Sequence, residues 1–180
     1  MKEPAINVEP IIGGAVGGTL AVASQFVASW LTARREVKVA ERVAARNCLE
    51  AIYAIRHAVD YRVNGGSDVR LDYEYERKVD ALRLALSSVK GEDIRERMAV
   101  VIRCLGATSA IQAFTSYTET SAVWALCRHS EVLFEAHLHD KKLPEDDGVV
   151  KAFADAVDEA DAIMEEQYEE EYRRRAEYGH

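Results

Sequence analysis

Between Ile11 and Thr32 the chain reads IIGGAVGGTLAVASQFVASWLT, 22 residues without one charged side chain. As a helix rising about 1.5 Å per residue, this stretch is just long enough to cross the roughly 30 Å hydrocarbon core of a bilayer. Everything after it is charged and patterned with helical period. The stretch therefore decides between an anchored protein and a bundle that must bury it against other protein.

The charges around it are arranged with a direction. The lead, residues 1–10, holds only Lys2, Glu3 and Glu9 and two prolines, Pro4 and Pro10, so it has no basic region of the kind that opens a signal peptide. Arg34, Arg35, Lys38, Arg42 and Arg46 follow the stretch instead. That asymmetry predicts an N-terminus outside and a C-terminal domain in the cytoplasm, with 11–32 as a single span of the inner (cytoplasmic) membrane. Trp30, Arg34, Arg35 and Lys38 fall at the inner boundary, where an amphipathic ring and basic heads favour the headgroups. Attraction to anionic lipid follows from the same residues.

Within the stretch, Gly13/Gly17 and Gly14/Gly18 form two overlapping GxxxG pairs, continued by Ala21. In a spanning helix this spacing lines small residues along one ridge and lets two backbones approach. The expectation is self-association, with Gln25 able to add an interhelical hydrogen bond worth about 1 kcal/mol.

From Ala33 to Val63 there is neither proline nor glycine. Val37, Ala40, Val43, Ala44, Cys48, Ile52, Ile55, Val59 and Val63 recur at steps of three and four. The spacing predicts that the span continues into one long amphipathic helix, which Asn64-Gly65-Gly66 stops. A second stripe, Tyr75, Val79, Leu82, Leu86 and Val89, has the alternating spacing of a helix-packing seam. Gly91 ends it, and Glu92 and Asp93 favour the start of a third helix with Ile94, Met98, Val101 and Leu105 on one face. Beyond a kink or break at Gly106, Ile111, Phe114, Ala122, Leu126, Leu133 and Leu138 mark a further helical run. Pro144 and the acidic Glu145–Asp147 read as a connector. A last helix follows, with Val150, Phe153, Val157, Ala160, Met164 and Tyr168 on one face. No segment alternates with strand period.

The expected fold is all-α. A polar lead (1–10) precedes a transmembrane helix (11–32), and the latter continues into a cytoplasmic bundle (33–143) of three or four further helices. An acidic C-terminal helix (144–180) packs on that bundle.

Composition narrows the function. With 48% hydrophobic and 30% charged residues the chain has enough of both to fold. A net charge of −8 disfavours nucleic acid, which needs a basic face. Cys48, Cys104 and Cys127 are far apart with no CxxC pair, so they read as small buried apolar residues. Glu131, Glu135, His137, His139 and Asp140 place histidines and carboxylates close together, and Glu135 and His139 share a helical face. The repeated Glu-x-x-His pattern of di-iron bundles and HExxH are both missing. A calcium loop with Gly148 at its sixth position would need ligands at Leu143 and Ala154. No nucleotide-binding or nucleophile motif occurs, and the sole Arg-to-His spacing of the helical-nuclease kind lies at the end, Arg173–Arg175 against His180.

No catalysis, cofactor or metal is expected. The expected function is a membrane-anchored helical interaction or assembly module, homo-oligomeric, with the bilayer as one partner. The C-terminal helix, whose residues 144–180 carry a net −9, is a possible docking element for a protein partner. The alternative is an all-α oligomer outside the membrane that buries 11–32 in its core or at a subunit interface.

Overall fold

A computed structural model describes the backbone of residues 9–63, 69–145 and 148–178, and the side chains of 29–61, 73–145 and 148–176. Among these residues the fold is all-α, with six helices and no strand. They are α1 (Glu9–Val63), α2 (Val69–Leu86), α3 (Glu92–Gly106), α4 (Thr108–Phe114), α5 (Glu119–Leu138) and α6 (Gly148–Tyr178). Two compact units emerge, Met1–Ala40 and Glu41–His180.

In the first unit the described side chains, Ser29 to Ala40, are all exposed. Among the described residues no helix is long and apolar enough to cross a membrane. The side chains of 11–28, which make up most of the expected span, lie outside them, as do the association residues Gly13, Gly14, Gly17, Gly18, Ala21 and Gln25.

The second unit is a bundle with one continuous core. Its buried residues come from α1 (Ala44, Ala45, Cys48, Ile52, Ile55, Val59), α2 (Val79, Leu82, Leu86), α3 (Ile94, Met98, Val101, Leu105), α4 (Ile111), α5 (Ala122, Leu126, Leu133, Phe134) and α6 (Val150, Phe153, Val157). The helix faces read from periodicity supply most of this set, because an apolar stripe at 3.6-residue period has to be taken out of water together. α3 packs on α2, α5 and α6, while α4 packs on α5 and α6.

Helix ends show why the region after Gly91 breaks into three pieces where the sequence suggested two. Gly106 is the last residue of α3, and Ala107 N–H donates to the Cys104 carbonyl at 3.1 Å. α4 lasts only to Phe114, where the Thr115 hydroxyl donates to the Ile111 carbonyl at 2.6 Å. Thr118 then caps α5, its hydroxyl accepting from Ser121 N–H at 3.2 Å. Serine and threonine compete with the helix for its own backbone groups, and here they win over Thr115–Thr118. Among the described residues there are thus six helices, where periodicity gives four or five.

α5 ends in a Schellman arrangement. Lys141 N–H reaches the Ala136 carbonyl at 2.9 Å and Asp140 N–H the His137 carbonyl at 3.2 Å, with Asp140 at φ 52°. Arg97 donates to the Pro144 carbonyl, fixing the connector to α3. α6 is tied at mid-length by Arg103 to Asp158 at 2.5 Å.

Candidate functional surfaces

The membrane-interface residues of the sequence reading lie on α1. Trp30 is 54% exposed, and the Arg34 guanidinium carbon lies 5.3 Å from its ring centroid. This stacking holds a cationic head against an apolar ring without burying the charge. Arg34, Arg35, Lys38, Arg42 and Arg46 are all exposed. At 100° per residue Arg34, Arg35 and Lys38 of the first unit fall within about 100° of the helix circumference, which makes one basic stripe. Val37, Ala40 and Val43, expected as core positions, are exposed as well. The described part of α1 first turns a side chain into the core at Ala44.

The His/carboxylate group of α5 is divided among separate duties. Glu131 pairs with Arg56 at 3.3 Å, and Arg56 also lies 4.6 Å from the centroid of the Trp124 ring. His137 Nε2 sits 3.3 Å from a Glu41 carboxylate oxygen. His139 caps the end of α5 through its backbone, and Glu135, His139 and Asp140 are exposed. Among the described residues no three His, Cys, Asp or Glu side chains converge in a way that could hold a metal. Helical spacing placed these groups on one element, but their partners are on α1, and partners decide which way each side chain turns.

The three thiols are buried and unpaired as disulfides. Burial pushes Cys48 up to about 11 and Cys127 up to about 12, and Cys104 is raised too by the same cause. A thiol held protonated this far above neutrality is a packing group rather than a nucleophile.

A cleft of about 580 Å³ opens between helix ends, with Glu76, Asp80, Arg83, Thr108 and Glu119 on its walls. Tyr75 lies against it, and its hydroxyl donates to the Leu105 carbonyl at 2.8 Å. Burial, then the neighbouring Cys127 and Glu119, raises this phenol well above its ordinary value, so it serves as a fixed hydrogen-bond donor. Arg83 is engaged by Asp80 at 2.7 Å.

Periodicity does not mark where along α6 the buried face ends. Val150, Phe153, Ala156 and Val157 are buried, while from Asp161 to Ala176 every side chain is exposed. Met164 and Tyr168, expected as core, are 53% and 67% exposed, and Tyr172 is 77% exposed. Glu169–Arg173, Glu170–Arg174 and Glu171–Arg175 form ion pairs at 3.3, 3.6 and 2.6 Å along this half. Those i,i+4 pairs sustain a helix in water by a few tenths of a kcal/mol each. The density of charge on both sides of Tyr168 and Tyr172 was the available signal that the stripe leaves the core there.

No family model, no curated protein and no solved structure matches this chain.

Proposed function

We propose that the chain is a helical assembly module without catalytic activity, which works by joining copies of itself. The observation that carries this reading is where the exposed apolar residues lie. Among the described residues large apolar side chains are exposed on each helix, but on α6 Met164, Tyr168 and Tyr172 line up on one face at steps of four. Isolated surface apolar residues need no explanation, but runs of large ones along single helices mark association surfaces. In this reading Ile11–Thr32 is buried at a subunit interface. Burial in the chain's own core fits less well, since Ser29 to Thr32 at its end are exposed.

A second reading is favoured by one specific observation, the charge-free stretch followed at once by an exposed basic stripe. It makes 11–32 a membrane span with Trp30, Arg34, Arg35 and Lys38 at the headgroups and the bundle on the cytoplasmic side.

Two measurements test these readings. Light scattering on the full chain at tens of micromolar should give a mass above that of one copy; a monomer overturns the assembly reading. Fractionation without detergent then chooses the site of Ile11–Thr32. Recovery in the supernatant fits the subunit interface, and a membrane pellet that resists high salt and alkaline carbonate fits the span.

A further inference from the structure

The face of α6 that enters the core does not stop where the bundle does. Val150, Phe153 and Val157 are buried, Ala160 is half-buried, and Met164, Tyr168, Tyr172 and Ala176 carry the same stripe on at steps of four. At 100° per residue Tyr168 lies at the angle of Val150, with Met164 and Tyr172 about 40° to either side. One stripe is therefore half buried and half exposed, over some 24 Å of helix beyond Ala160.

The charges on that exposed half are sorted into blocks. Glu165, Glu166 and Glu169–Glu171 come first, and Arg173–Arg175 follow. A parallel pair of such helices would set arginine block against arginine block and glutamate block against glutamate block. An antiparallel pair centred between Tyr168 and Tyr172 sets Glu165 and Glu166 against the arginines, with Glu169–Glu171 of the two copies meeting at its centre. It places Tyr168 across from Tyr172 of the second copy, Met164 across from Ala176, and Glu165 across from Arg175. The outer charges of the segment complement each other in the antiparallel orientation only.

We propose that residues 160–176 of α6 pair antiparallel with the same segment of a second copy of this chain, about a two-fold axis near residue 170. The proposal rests on the reading of the chain as a self-assembling module and names one of its contacts. A two-fold contact of this kind is isologous and closes on itself, so it joins two copies without propagating. Four tyrosines and two methionines meet across it. Aromatic side chains bury about 150–250 Å² each when fully covered, which puts the contact at or below the roughly 1,200 Å² lower bound of stable complexes. The pairing is accordingly reversible, and salt weakens it through the flanking charges.

The test is cysteine cross-linking in the full-length chain, with Tyr168→Cys and Tyr172→Cys placed on two differently tagged copies that are co-expressed. The native cysteines are all buried, so background cross-linking is low. Mild oxidation should yield the mixed Tyr168→Cys/Tyr172→Cys product several-fold above either homotypic product. Arg175→Glu in both copies should lower the mixed yield several-fold, and adding Glu165→Arg to both should restore it. Homotypic products at or above the mixed yield indicate a parallel pair and overturn the proposal. Absence of any cross-link between copies also overturns it. If the chain is still oligomeric by light scattering in that case, the assembly reading survives and only this contact falls.

Discussion

Gly91 and Gly106 are two glycines at helix boundaries that the structure treats in opposite ways. A Cβ at Gly91 would stand 2.9 Å from Ile94 Cγ2 and 3.1 Å from His137 Cε1, while one at Gly106 would meet nothing within 4 Å. Replacing glycine by alanine narrows the unfolded ensemble, a gain of about 0.4–1 kcal/mol wherever the native site has room. At Gly91 the gain is outweighed, because Ile94 is buried and His137 is held by Glu41, so neither yields freely. Gly91→Ala is expected to destabilise by about 1–2 kcal/mol. Gly106→Ala, at the last turn of α3, is expected to stabilise by about 0.5–1 kcal/mol. Urea denaturation of both variants checks the pair, and equal signs would refute the steric account. Sequence alone marked both glycines as punctuation; what separates them is the crowding of Gly91 by Ile94 of α3 and His137 of α5, against an open helix end at Gly106.

At the scale of elements, the Schellman end of α5 uses an aspartate where the left-handed conformation favours glycine. Asp140→Gly should therefore raise stability by about 0.5–1 kcal/mol, read as a shift of the denaturation midpoint at unchanged slope. α6 offers a sharper contrast along one helix. Phe153 is fully buried and meets the Tyr117 ring edge-on, centroids 4.9 Å apart at 83°. Phe153→Ala should cost about 3–5 kcal/mol, whereas Tyr168→Ala, measured in dilute monomer, should fall within about 0.5 kcal/mol of the parent. Similar costs at the two positions would mean that the outer half of α6 is covered within a single copy. Periodicity placed both residues on one face. It could not say where along the helix the bundle ends, because the period of a stripe carries no information about what lies opposite it.

For the whole molecule, the buried acids give stability a direction with pH. Unfolded thiols ionise near pH 8.5–9, while burial holds Cys48 and Cys127 neutral to about 11 and 12. Their contribution is complete below pH 8.5 and is lost as pH rises through the folded values, since the unfolded state then binds fewer protons. Thermal unfolding should show no thiol-linked loss from pH 7 to 8.5 and a progressive loss from pH 9 to 12, on the order of a few kcal/mol in all. Substituting Cys127 by alanine should flatten part of that slope. Deletion of residues 1–32 is the second test at this scale. The described core begins at Ala44, so the remainder should keep a cooperative helical melt. A broad, non-cooperative melt would place the apolar stretch inside the fold.

The sequence by itself determined the helical class, the faces of α2, α3 and the inner part of α1, the burial of the three cysteines, and the polarity of charge along the chain. These follow from period and composition, which act within a single helix. The structure decided the break at Thr115–Thr118, where side-chain hydroxyls cap the backbone, and the separation of Glu131 from His137 by partners on α1. It also decided that the stripe of α6 outlasts its cover. Each of these depends on which groups from distant parts of the chain come to stand opposite one another, and no spacing along one helix encodes that.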